Sequence, residues 1–228
     1  MGSNLIGNLP YLLLQAAALI VGLVIHESAH ALVASLLGDR TARDRRRISL
    51  NPLNHIDPFG TVILPLLMLL AGGPVFAFAK PVPVYLGNLK HPKRDELLVS
   101  LAGPGSNIVL SCLAAVCLGV LARSGIDAST GAPGDYIATF LMYGIVINLG
   151  LAFFNLIPLP PLDGSSILVP FLRGQALQTY YRIQQYSMPI LIAVLYLLPM
   201  VLHIDVIGLY FNATVYPLAN LLLDLALS

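Results

Sequence analysis

Residues 9 to 37 read LPYLLLQAAALIVGLVIHESAHALVASLL. The run exceeds the roughly 20 apolar residues that a helix needs to span a bilayer. Its only acidic or imidazole side chains, His26, Glu27 and His30, stand together in its second half. Comparable runs recur near 97 to 122, 137 to 157, 186 to 203 and 206 to 227, with a shorter one, FGTVILPLLMLLA, at 59 to 71. The composition agrees with this reading. Of 228 residues, 57% are hydrophobic and 10% charged, against about 25% charged in a soluble domain, and the mean hydropathy is +0.82. An ordinary soluble domain is excluded. The expected class is an all-α polytopic membrane protein with about five to six transmembrane helices.

The short segment at 59 to 71 contains Pro65 and ends in Gly72-Gly73-Pro74, which is thin for a full crossing at about 1.5 Å per residue. Arg40, Arg43, Arg45, Arg46 and Arg47 precede it, and Lys80, Lys90, Lys93 and Arg94 follow. A full crossing would split these clusters between two sides, against the positive-inside bias. A re-entrant segment keeps them together, and the next two spans add Arg173 and Arg182, leaving only Arg123 opposite. That side is expected to be cytoplasmic, with the N-terminus outside. The formal net charge of +1 gives no case for nucleic acid as a partner. Lys80 to Leu89, KPVPVYLGNL, alternates Val and Pro. It suits an extended edge strand or loop, a short membrane-associated β region able to pair with an incoming peptide. Cys112 and Cys117 lie five apart on one helix, about 140° around its axis, and cannot bridge. No basic n-region marks a signal peptide, so the N-terminal segment is expected to be retained.

Charged and ionisable groups are costly inside a membrane and mark function by default. His26 and His30, four residues apart, point to one face of a helix at a spacing that can grip a single ion, and Glu27 can reach a water beside it. Imidazole pairs favour zinc. A catalytic zinc takes three protein ligands and one open position. Among the remaining candidates, which include His55, Asp57, Asp95 and Glu96, Asp163 stands out. It closes the run FNLIPLPPLDG, in which Pro158, Pro160 and Pro161 must break the helix that ends near Asn155. Unwound backbone at membrane depth is tolerated where it lines a wet cavity. His26 lies about 25 Å along its helix from Pro10, so it and Asp163 reach the same leaflet.

On these residues the chain resembles the site-2 protease family of intramembrane zinc metalloproteases, peptidase family M50. HESAH at 26 to 30 matches the family's first motif. Asn155, Pro158, Leu162, Asp163 and Gly164 match its second, Asn-x-x-Pro-x-x-x-Leu-Asp-Gly. NPLNHIDPFGT (Asn51 to Thr61), AKPVPV (Ala79 to Val84) and LAGPGSN (Leu101 to Asn107) look like the compact prokaryotic branch. The likeness covers roughly residues 15 to 170, and this stretch leaves no room for a PDZ or CBS module.

The resemblance implies a single transmembrane metalloprotease domain over 1 to 228, its catalytic core at about 15 to 170 and its C-terminal helices at about 186 to 227. It implies that His26, His30 and Asp163 hold one Zn2+ per chain and that Glu27 is the general base. Asn155 and Asn107 become candidates for contact with substrate or oxyanion, or else pack helices through their amides. His55 falls in the surroundings of the site. The expected reaction is hydrolysis of a peptide bond within or beside a transmembrane segment of a membrane protein substrate, near the cytoplasmic leaflet of the cell membrane. A membrane metal transporter is the rival reading, but transport favours ligands spread along a path, whereas these converge near one leaflet.

Overall fold

The structure, a computed structural model, describes residues 3–63, 79–127, 129–197, 200–201 and 203–228. Its helices are α1 (Ser3–Leu36), α2 (Thr41–Asp44), α3 (Pro92–Arg123), α4 (Pro133–Asn155), α5 (Gly174–Gln184), α6 (Ser187–Ile192), α7 (Val206–Ala213) and α8 (Val215–Leu227). Four stretches among the described residues are long and apolar enough to cross a bilayer: Leu9–Leu36, Pro92–Arg123, Pro133–Asn155 and Val206–Leu227, the last divided at Thr214 into α7 and α8. The chain is a multi-pass, all-α membrane protein.

Helix starts follow from local chemistry. Both α3 and α4 open on proline, whose missing N–H costs nothing in the first turn. In each, a first-turn acid reaches back to a preceding N–H: Asp95 Oδ2 accepts from His91 N–H at 2.8 Å, and Asp135 Oδ2 from Gly131 N–H at 2.9 Å. Helix α3 therefore begins at Pro92, ahead of the apolar run near 97, because Asp95 and Glu96 belong to its first turns.

The expected span near 186 to 203 is described in part, as α6 followed by a π-helical turn at Ala193–Leu197. Of the short apolar segment, Pro58–Ile63 forms a π-helical turn, and residues 64–78 lie outside the described residues, so the re-entry expected there does too.

The expected β region is not confirmed. Among the described residues there is no strand, and Lys80 to Leu89 runs as irregular chain into a 3-10 turn at Leu86–Asn88. Pro81 and Pro83 carry no N–H to donate to a ladder. The carbonyls of Lys80 and Pro81 instead accept from the buried Arg47 guanidinium, at 3.1 and 2.9 Å, and Lys80 N–H donates to His55 O at 2.9 Å.

The chain forms two compact units. One comprises Met1–Gly22, Gly105–Phe154 and Gly208–Ser228. Its apolar core joins Ala115 and Leu118 of α3, Ile145 and Leu149 of α4, and Val215, Ala219 and Ala226 of α8. Helices in lipid gain little from hydrophobic contact with one another and associate through close packing and polar links. Such links are present: Asn107 Nδ2 donates to Gly22 O at 3.1 Å and to Asn148 Oδ1 at 2.8 Å, and Asn148 Nδ2 donates to Gly144 O at 2.8 Å. Gly22 has no room for a side chain, since a Cβ there would stand 2.8 Å from Asn148 Oδ1.

The other unit comprises Leu23–Pro104 and Asn155–Ile207. It brings together the second half of α1, the first turns of α3 and the unwound chain after α4. Asp39, fully buried, ties its loops: it accepts from Tyr85 N–H at 2.6 Å and Asn88 Nδ2 at 3.0 Å, as well as from Thr41. Ser165 and Tyr180 share a 3.1 Å hydroxyl contact that fixes the 3-10 helix Asp163–Phe171 against α5.

Candidate metal centre

The carboxylate is placed by a failed helix. Beyond Asn155 the prolines at 158, 160 and 161 stop regular bonding, and the chain turns through Leu162 N–H to Leu159 O at 2.9 Å before entering the 3-10 helix that Asp163 opens. Gly164 then passes against the chain it has just left. A Cβ on it would collide with the Leu156 carbonyl and stand 2.7 Å from Ile157 O. This tight return carries Asp163 to α1.

Three ligand atoms converge there. His26 Nε2 and His30 Nε2 are 3.1 Å apart, and Asp163 Oδ2 lies 3.2 and 3.3 Å from them. Both imidazoles are buried, while Asp163 keeps a small exposed fraction. Zinc ligands about 2.0–2.1 Å from a tetrahedral ion stand about 3.3 Å apart, so the triangle has the edges of one tetrahedral face.

The tautomers sharpen the fit. His30 Nδ1 lies 2.7 Å from Val99 O in α3, and a carbonyl can only accept, so Nδ1 carries the proton and the neutral ring offers a lone pair at Nε2. A lone pair, a second imidazole nitrogen and a buried carboxylate oxygen that receives no well-aligned hydrogen bond thus face a common centre. One proton could satisfy only one pair of them. A shared cation satisfies all three. The chemistry of the donor set fits zinc.

The wall of this site is bare backbone. An ideal Cβ on Gly103 of α3 would stand 2.6 Å from Cε1 and Nε2 of His26 and would collide with His30 Nε2. Sequence reasoning assigned Gly103 no role. The available signal was a glycine inside a membrane helix, where alanine is the better helix former.

The remaining candidates fall as follows. Glu27, between the two histidines in sequence, is half-buried. Asn155 is the last residue of α4 and also half-buried. His55 is fully buried and does not belong to the triad. Its Nε2 meets Ser49 O at 2.8 Å, a carbonyl that also accepts from Ser28 Oγ at 2.7 Å, so the loop after α2 is pinned to α1 one residue beyond Glu27. Asn107 has no exposed surface, and its amide donates to Gly22 and Asn148, an arrangement that suits the helix-packing alternative. Asp57 Oδ1 accepts from Gly60 N–H at 2.7 Å and so caps the turn that Pro58 opens.

Helices long and apolar enough to cross a membrane, one of them carrying two histidines of a His2Asp cluster, define a class: polytopic membrane proteins with a cluster able to hold a metal ion on a membrane helix. Comparison with known proteins narrows it. Residues 14–198 match the model of peptidase family M50. The chain is 41% identical over 164 residues to "Putative zinc metalloprotease YwhC" of Bacillus subtilis, covering 70% of this chain and 68% of that one. It is 33% identical over 183 residues to "Putative zinc metalloprotease Rip2" of Mycolicibacterium smegmatis, covering 80% and 66%, and 30% identical over 183 residues to the protein of that name from Mycobacterium tuberculosis, with the same coverage. The chain thus spans about two thirds of the length of these relatives. No solved structure matches. The chain belongs to peptidase family M50, the site-2 protease family of membrane zinc metalloproteases.

Proposed function

We propose that this protein is an intramembrane zinc metalloprotease that hydrolyses peptide bonds within or next to transmembrane segments of membrane protein substrates, as in regulated intramembrane proteolysis. The observation that carries the proposal is the convergence of His26, His30 and Asp163 at 3.1 to 3.3 Å, with the His30 lone pair turned inward by Val99. His26 Nε2, His30 Nε2 and Asp163 Oδ2 hold one zinc per chain. Bound there, zinc supplies Lewis acidity, which acidifies water and polarises a carbonyl.

The chain's own residues do the rest. Glu27 sits one residue beyond His26, where its carboxylate takes a proton from the attacking water and returns it to the leaving amine. Asn155, at the point where α4 gives way to unwound chain, is placed to donate its amide to the substrate or its developing oxyanion. The unwound run from Leu156 to Leu162 supplies a polar lining through which water reaches the site. A site near the cytoplasmic leaflet is supported by the eleven basic residues that a re-entrant topology would gather on one side.

The test is metal analysis of the purified protein alongside cleavage of a model transmembrane substrate by wild type, Glu27→Gln and Asp163→Ala. Glu27→Gln is expected to keep zinc and lose turnover, and Asp163→Ala to lose both. Retained turnover in either variant refutes the roles assigned. Metal flux that survives Glu27→Gln, with no cleavage by the wild type, identifies a transporter instead.

A further inference from the structure

Helix α2 ends in a Schellman motif: Arg46 N–H donates to Arg43 O and Arg47 N–H donates to Ala42 O, each at 2.9 Å. The left-handed residue of that motif is ordinarily glycine, because a Cβ is strained there. Here it is Arg46, with φ +56°. Arg43 and Arg46 both line one groove, a 610 Å³ cavity otherwise lined by Leu32, Ser35, Leu36, Ile48, Ser49 and Asn54. A second cavity of 330 Å³ shares Leu32, Ile48 and Ser49 with it and continues along α1 past Ala29, Ser28 and Ile25. At 100° per residue, positions 28 and 32 lie on the side of α1 away from His26 and His30, and 25, 29 and 36 lie on the flank between. None of the three metal-ligand residues lines this groove.

Its lining has two parts. Along α1 it is mainly apolar, interrupted by Ser28 and Ser35, and Leu32, Leu36, Ile48 and Leu50 are exposed. At its end stand two exposed guanidinium groups that make no ion pair among the described residues. An apolar occupant alone would leave the arginines bare, and a free anion would leave the groove bare. An anion joined to a hydrocarbon chain covers both.

We propose that this groove is a binding site for an anionic phospholipid, its phosphate held by Arg43 and Arg46 and one acyl chain laid along Leu36, Leu32 and Ile25. Arginine suits the headgroup because its planar fork meets phosphate oxygens in pairs. Basic clusters at a membrane surface attract anionic lipid as a general rule. The groove adds the acyl contact that turns attraction into a site. A lipid there lies against Ser28 and Ala29, the residues between Glu27 and His30, so its occupancy bears on the helix that carries the chemistry.

Arg46 makes the test clean, since Arg46→Gly removes a guanidinium while relieving a strained backbone. The full chain in neutral detergent would be titrated with phosphatidylglycerol and with phosphatidylcholine of the same acyl chains, and bound lipid counted by native mass spectrometry. The wild type is expected to bind one phosphatidylglycerol at least about tenfold more tightly than phosphatidylcholine. Arg46→Gly and Arg43→Gln should each abolish most of that preference, while the thermal stability of Arg46→Gly stays at or above wild type. Equal affinity for the two lipids, an undiminished preference in both variants, or displacement by glycerol phosphate as effective as by the whole lipid would each overturn the proposal. The last result would identify a headgroup site with no acyl component, and stronger binding of an acidic peptide than of lipid would assign the groove to protein instead.

Discussion

Replacing Gly103 by alanine should separate the metal centre from the fold. An ideal Cβ there stands 2.6 Å from two atoms of the His26 ring and closer to His30 Nε2. Ordinary contact between such atoms is about 3.5 Å, so the rings must retreat by about 1 Å. Metal–ligand distances tolerate about 0.2 Å. Disturbing the orientation of ligands through their surroundings typically costs about 10–100-fold in metal affinity, which is about 1.4 to 2.8 kcal/mol. The rings are the ends of side chains and can swing aside when no ion holds them. In the metal-free protein the substitution should therefore be harmless, and the helix gains about 0.5–1 kcal/mol from alanine over glycine. Gly105→Ala is the control, because a Cβ at Gly105 meets nothing within 4 Å. The assay is zinc competition against a fluorescent chelator in detergent, with melting of the metal-free protein followed by circular dichroism. Gly103→Ala binding zinc as tightly as wild type would refute the packing argument, and so would an equal loss in Gly105→Ala.

Three further outcomes follow from other residues. Asn107→Ala removes both donors from the link between Gly22 and Asn148 and should lower stability in detergent by about 0.6 to 2 kcal/mol, with turnover per folded molecule near wild type. A large loss of turnover at unchanged stability would assign Asn107 to the substrate. Gly164→Ala should be far more damaging than Gly103→Ala, because its Cβ meets the backbone carbonyls of Leu156 and Ile157, which cannot swing away; zinc binding and fold should fail together in the same melting assay. Burial pushes the Asp39 carboxyl up, but hydrogen bonds from Asn88, Thr41 and the Tyr85 N–H outweigh it and bring the pKa to about 2 from 3.8. A carboxyl lowered on folding stabilises the ionised form, so its contribution is complete above about pH 4 and is lost as pH falls through about 2. Asp39→Asn should flatten the acid limb of the stability profile between those values, and an unchanged limb would deny Asp39 its role.

The site was legible where chemistry and periodicity coincide. Two histidines four apart in an apolar run can only share a face, and a carboxylate after three prolines at the end of a span has few reasons to be there. Asn107 was not legible, since an amide reads as substrate donor or as helix link until its neighbours, Gly22 and Asn148, are known. Gly103 was missed because its contribution is empty volume. Arg47 looked like one of five arginines, and only the fold shows it buried and bonded to the carbonyls of Lys80 and Pro81, which hold the segment expected to be a strand. The helix starts were read late for a related reason: Asp95 and Asp135 look like loop residues in sequence but act as first-turn acids. The segment at 59 to 71 lies mostly outside the described residues.

Zinc K-edge X-ray absorption on the purified protein, run beside His30→Ala and Asp163→Ala, bears most directly on the metal centre. The account predicts two imidazole nitrogens and a carboxylate oxygen at about 2.0 to 2.2 Å, with one imidazole missing in the first variant and weaker, oxygen-poor binding in the second. Zinc bound without imidazole, or spectra that neither variant alters, would contradict it.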